Sequence, residues 1–186
     1  EAMTWATQYP DYMDFTISLV SSYKNAGHNY ALYKFMNDII ESDPDYNNGR
    51  YTKKLARSLR LAAESMYTFG QSKAYYRECS KEDMDKELTG MGEEGLFDDP
   101  NDIVFRNNAS LAYDVEKDLQ NIKSKLLIIS INQDEYFPPD LDGIPMHNIV
   151  PDSELIIFDS LHGHIGSSEL SQISDKLEDF LKEFKD

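Results

Sequence analysis

The stretch Lys125 to Pro139 reads KLLIISINQDEYFPP, and it limits the possible folds more than any other part of the chain. Leu126, Leu127, Ile128, Ile129 and Ile131 form a short, continuous apolar run rich in β-branched residues, the pattern of a strand buried on both faces of a parallel sheet. The run ends in Asn132-Gln133-Asp134-Glu135, then Tyr136-Phe137, then Pro138-Pro139. Two prolines cannot extend a strand, and they set a rigid turn. Asp134 is therefore presented at the carboxyl end of a buried strand, where open α/β sheets place their ligands. Its plainer role is to cap that turn, as Asp commonly does.

The rest of the chain supplies partners for this strand. Ala2 to Ala6 read as a helix that must stop before Pro10, and Phe15 to Ser22 reads as a β-branched strand. From Asn25 to Leu119 the periodicity turns helical. Turn residues Asp43 to Gly49 break it, and Leu55, Leu59, Ala62, Met66 and Phe69 then mark an amphipathic helix ended by Gly70. Tyr75 to Leu88 is expected to be helical, and the capping-box spacing of Ser80 and Asp83 marks the start of a new helix within it. Gly90 to Asp102 is expected to be a loop, Ile103 to Leu119 a helix, and Asp140 to Asp152 a polar connector. Glu154 to Phe158 reads as the last strand. Leu170, Ile173, Leu177, Phe180 and Phe184 form the apolar face of a final helix capped by Ser167 or Ser168.

Strands alternating with helices predict an α/β class with a parallel sheet. The helical block is too long for a simple crossover, so it is expected to be an inserted cap. The expected division is 1–24 for the first core segment, 25–119 for the cap and 120–186 for the C-terminal core. An edge strand left unpaired in such a sheet would invite pairing with a second copy.

Charge and composition remove several classes of function. The net charge of −16 repels nucleic acid and anionic lipid, so neither is expected as a partner. No apolar run is long enough to span a membrane, and no secretory leader is visible. One cysteine, Cys79, cannot form an internal disulfide, which fits the cytoplasm. The chain opens mid-helix, without an initiator methionine or a capping residue, which suggests a piece of something longer.

Two loops that follow strands carry groups able to do chemistry together. One presents Asp134, and the next carries His162 and His164 in His-Gly-His. An Asp that accepts from a histidine Nδ1 fixes the tautomer and leaves Nε2 free as a general base. Either histidine could serve. No G-x-S-x-G is present to supply a nucleophile, and Cys79, within a predicted helix, has no reason for a lowered pKa. His-x-His can hold zinc, but no third ligand stands at suitable spacing; the acids between Glu93 and Asp102 lack an EF-hand pattern. His28 and His147 read as structural or surface residues. The aromatic residues Tyr30, Tyr33, Tyr67, Phe69, Tyr75, Tyr76 and Tyr113 suit a core better than a substrate pocket.

The ordered set Trp5-Ala6-x-x-Tyr9-Pro10-Asp11, Asp43-Pro44-Asp45-Tyr46-x-x-Gly49-x-Tyr51, Tyr113-Asp114-Val115, Asp134-x-x-Phe137-Pro138-Pro139 and Gly163-His164 resembles the homoserine O-acetyltransferase-like branch of the α/β-hydrolases. The resemblance runs over nearly the whole chain. It implies that Asp134 is the acid of a catalytic triad and His164 its base, with His162 a neighbour. It also implies a nucleophilic serine just upstream of Glu1, no metal, no organic cofactor, and a small acyl ester as substrate. The 186 residues alone would then be inactive. Two departures bear on the substrate. Ile165 follows the base where the acetyltransferases carry an Asp, and Asn37 stands where they carry an Arg for the substrate carboxylate. These favour an acyl hydrolase over a homoserine O-acetyltransferase. A non-catalytic relative that binds a small ligand is the reading outside enzymes.

Overall fold

The computed structural model describes residues 1–184. In chain order its elements are α1 (Ala2–Gln8), β1 (Phe15–Leu19), α2 (Gly27–Glu41), α3 (Ala56–Tyr67), α4 (Lys73–Glu78), α5 (Lys81–Gly95), α6 (Pro100–Leu111), β2 (Lys125–Ile131), α7 (Gly143–Ile149), β3 (Ser153–Phe158) and α8 (Ser174–Lys182). They form two compact units: Glu1–Lys24 with the chain from Asp114 onward, and Asn25–Tyr113.

The first unit holds the sheet. Its strands lie in the order β1-β2-β3, all parallel, as the alternation of strands and helices requires. β2 is central, and Leu126 through Ile131 are all buried, which is why this strand shows no polar alternation in the sequence. Leu127, Ile129 and Ile131 pack with Ile156, Phe158, Ile173 and Phe180. Each such side chain contributes about 1.5–3 kcal/mol on burial. At the amino end of the sheet, Lys125 Nζ lies 2.7 Å from Glu154 Oε1 and 2.6 Å from Glu183 Oε2. Its hydrogen bonds to these two carboxylates raise the ammonium pKa.

Three local expectations for this unit are corrected. β1 stops at Leu19 rather than Ser22, because Val20 takes a positive φ of 37°, which a β-branched residue rarely adopts and which turns the chain out of the strand. The segment Asp140 to Asp152 is not merely a connector. It contains α7, whose buried residues are only Gly143 and Met146, too few to leave a periodic signature. The last helix begins at Ser174, beyond Ser167 and Ser168, because residues 163–173 run as two 3-10 turns. The residues expected on its apolar face do pack into the core, Ile173 and Phe180 buried with Leu170, Leu177 and Phe184 beside them, but only Leu177 and Phe180 lie on α8 itself.

The second unit is all helical. α2 buries Leu32, Met36 and Ile40, α3 buries Leu59, Ala62 and Tyr67, and α6 buries Ile103 and Val104. α3 ends at Tyr67, so Phe69 falls outside it and is partly exposed. Tyr30 is half exposed, while Tyr67 is buried, and the hydroxyls of Tyr67 and Tyr75 both donate to Glu87. The aromatic set is therefore only partly core. Ser80 does begin a new helix. Its hydroxyl accepts from Asp83 N at 3.1 Å and lies 2.7 Å from Asp83 Oδ2.

The expected loop Gly90 to Asp102 is mostly helix. α5 continues to Gly95, and α6 starts at Pro100 behind the N-cap Asp99. The glycines misled because two of them serve helix packing. A Cβ on Gly95 would stand 2.5 Å from Ala63 Cβ and 2.9 Å from Leu59 O, and one on Gly92 would stand 2.7 Å from Glu64 Oε1. The helix expected from Ile103 to Leu119 ends at Leu111, and Glu116–Asn121 is a separate 3-10 turn.

Candidate functional site

Asp134 lies three residues past the end of β2, and its side chain is fully buried. One oxygen, Oδ1, accepts from the backbone N–H of Tyr136 at 2.7 Å and of Phe137 at 3.0 Å. The other, Oδ2, lies 2.9 Å from Nδ1 of His164. The turn-capping role and the histidine-orienting role are thus both filled, one by each oxygen. An ionised carboxylate only accepts, so this pairing favours the tautomer in which Nδ1 donates, and in a neutral imidazole Nε2 then carries the lone pair.

His164 reaches this position from the loop after β3. Gly163 precedes it with φ of 55°, a left-handed conformation that glycine adopts without steric cost. Gly166 follows, and a Cβ there would collide with the Ser160 side chain. The imidazole is flanked by Tyr136, edge-on at 4.8 Å between ring centroids, and by Phe137 at 5.5 Å. Its side chain remains 27% exposed, so the ring is accessible at one side. Nε2 makes no hydrogen bond among the described residues.

The other histidines lie elsewhere. His162 is largely exposed, with Nε2 3.9 Å from Glu169 Oε1. His147 Nδ1 lies 2.9 Å from Ser153 Oγ, and His28 rests its exposed ring against Phe69. Cys79 is not inside a helix as expected but caps the C-terminus of α4, half-buried. Among the described residues, no group of three His, Cys, Asp or Glu side chains is arranged to hold a metal ion. No described helix is long and apolar enough to cross a membrane. In the helical unit, Asn37 is buried. Its Oδ1 accepts from Asn107 Nδ2 at 3.0 Å, and its Nδ2 donates to Asn108 Oδ1 at 2.9 Å.

Sequence reasoning missed Asp142. Burial, then the charge of Asp134, pushes its carboxyl up to about 7; Asp140 adds to the rise and Lys24 opposes it. It also missed Gln133 and Asp159. The Asp159 carboxyl is held below its ordinary value by hydrogen bonds from Asn132 and Gln133. Only adjacency to Asp134 and to the end of β3 could have drawn notice to those two.

No family model matches the chain. It is 40% identical over 181 residues to a probable acyltransferase of Methanothermobacter thermautotrophicus, matching 97% of this chain and 56% of that protein. It is 25% identical over 178 residues to an ethyl acetate hydrolase of Pseudomonas veronii, covering 87% of this chain and 51% of the relative. Among solved structures, homoserine O-acetyltransferase from Bacillus anthracis superimposes with a TM-score of 0.87 at 20% identity, over 97% of this chain and 56% of that one. The chain thus spans about half the length of the proteins it matches. The parallel sheet and its strand order give the chain an α/β-hydrolase-like fold, and its relatives and structural neighbours are esterases, acyltransferases and homoserine O-acetyltransferases of the α/β-hydrolase family.

Proposed function

We propose that this chain carries the acid and the base of a serine-dependent acyl-ester hydrolase. The hydrogen bond between His164 Nδ1 and buried Asp134 Oδ2, which leaves Nε2 unencumbered, is the observation that carries this reading. The serine would come from the portion that the relatives possess beyond the matched half. Its hydroxyl would attack the ester carbonyl while His164 Nε2 takes the proton. That proton would pass to the departing alkoxide, and water, activated by the same nitrogen, would free the acyl group. Asp134 holds the tautomer and stabilises the imidazolium. No metal or organic cofactor has a role in this chemistry. On this reading the 186 residues alone cleave no ester.

Acyl transfer to homoserine is the second reading, supported by the acyltransferase among the relatives and the acetyltransferase among the structures. The side chain of Asn37, aligned with the carboxylate-binding Arg of that family, is already engaged by Asn107 and Asn108. Ile165 beside the base offers no charge for an amine. Both features favour water over homoserine as the acceptor. The deciding experiment assays the full-length protein on short acyl esters and on homoserine with an acetyl donor, alongside its His164→Ala variant. Ester cleavage that disappears in the variant supports the hydrolase. Cleavage that survives in the variant sinks it, and homoserine acetylation without ester cleavage selects the second reading.

A further inference from the structure

Asp134 and His164 stand on different loops, and a separate set of side chains joins those loops. Gln133, the residue before the acid, bridges them with both ends of its amide. Its Oε1 accepts from Ser160 N at 2.8 Å, and its Nε2 donates to Asp159 Oδ1 at 2.9 Å. Asn132 Nδ2 donates to the same Asp159 oxygen at 2.9 Å. Asn132 N donates to Phe158 O at 3.0 Å, continuing the β2–β3 ladder one step past the strands. From Ser160 the connection runs on toward the base. Ser160 Oγ accepts from His162 N at 3.1 Å, Ser160 O accepts from Gly163 N at 3.1 Å, and Gly166 lies so close to Ser160 that a Cβ has no room.

We propose that Asn132 and Gln133 with Asp159 and Ser160 form a clamp that sets the separation of Asp134 and His164, and that Gln133 is its central positioning residue. The inference rests on the acid–base reading above and extends it to residues that do not touch the reacting atoms. The physical need is plain. A loop after a strand is mobile on its own, and a misplacement of about 1 Å can cost about 10²-fold in rate. A glutamine amide offers one acceptor and two donors in a plane, so it can fix a backbone N–H and a carboxylate oxygen of the facing loop at once. The shared oxygen of Asp159 makes the two bonds it receives charge-assisted, which stiffens the clamp.

The test uses the full-length protein and reads the resting state and turnover separately. The proton on His164 Nδ1 is followed by NMR, assigned by its loss in His164→Ala. Gln133→Met keeps the length of the side chain and removes both hydrogen bonds. We expect that proton to exchange with solvent at least about 10-fold faster, and kcat for ester cleavage to fall about 10²-fold with KM nearly unchanged. Asn132→Ala, which removes one of the two bonds to Asp159, falls between. Ser124→Ala is the stability control. It breaks the Thr16–Ser124 hydrogen bond of 3.0 Å at the opposite end of the sheet and leaves proton exchange and kcat unchanged. If Gln133→Met does not fold, Asp159→Asn, which keeps the oxygen and removes its charge, replaces it with the same sign of effect. Unaltered proton exchange in the clamp variants overturns the proposal, and so does faster exchange with an unchanged kcat. If the wild-type protein cleaves no ester, the hydrolase reading fails by itself, and the exchange rate alone still decides whether the clamp sets the pair.

Discussion

His164 Nδ1 lies 2.9 Å from Asp134 Oδ2, while Asp134 Oδ1 is held by two backbone N–H groups. The carboxylate therefore cannot swing away from the imidazole without giving up its own turn. Asp134→Asn should preserve much of that turn, since the amide oxygen can still accept from Tyr136 and Phe137. It places an NH₂ against His164 and favours the wrong tautomer. Ester cleavage by the full-length protein is expected to fall about 10⁴-fold in kcat. A loss below about tenfold would remove Asp134 from the catalytic reading.

Gly163→Ala tests how the base is presented. The backbone there has φ of 55°, where an L-residue costs about 1–2 kcal/mol. Thermal unfolding is expected to shift down by a few degrees. The loop is also expected to relax toward negative φ, carrying His164 off Asp134. Activity should then fall by more than the loss of folded protein explains, as measured by kcat per folded molecule.

Two glycines of α5 should respond in opposite directions. Gly90 is exposed and a Cβ there meets nothing within 4 Å, so Gly90→Ala should stabilise by about 0.5–1 kcal/mol through helix propensity. Gly95→Ala puts a methyl 2.9 Å from the Leu59 carbonyl oxygen and against Ala63, so it should destabilise. Chemical denaturation midpoints of the two variants decide the matter. Equal midpoints would mean that α3 and α5 do not approach as described.

Asp142 predicts a pH effect. Its folded-state pKa, about 7, is raised above the ordinary carboxyl value by burial first and then by Asp134 and Asp140. The folded protein therefore binds a proton that the unfolded chain releases near pH 4. That stability is fully present below the unfolded value and is lost as the pH rises through about 7. Asp142→Asn, which stays neutral, should raise the melting temperature at pH 8 relative to wild type and change it less at pH 4. The opposite ordering would show that the Asp142 carboxyl is not buried beside its acidic neighbours.

The readable parts of this molecule carry their signal within a few residues. The apolar run of β2 announced a central parallel strand, the Ser80 cap announced a helix start, and the spacing from Leu170 to Phe184 announced an apolar face. Glycine was the main source of error. Gly92 and Gly95 look like loop residues, but they are small because α3 lies against them. α7 went unseen because it buries so little.

The sequence by itself determined that an acid follows a buried strand, that two histidines follow the next strand, and that the class is α/β. The motif resemblance singled out Asp134 and His164 from that set. Local pattern could not choose between His162 and His164, which are two residues apart on one loop. The tertiary structure brought His164 to Asp134 across 30 residues of sequence and left His162 near Glu169. The reason is packing. The turn at Gly163, the close approach of Gly166 to Ser160 and the reach of Gln133 across 27 residues to Ser160 are long-range constraints, met only when β2 and β3 lie side by side.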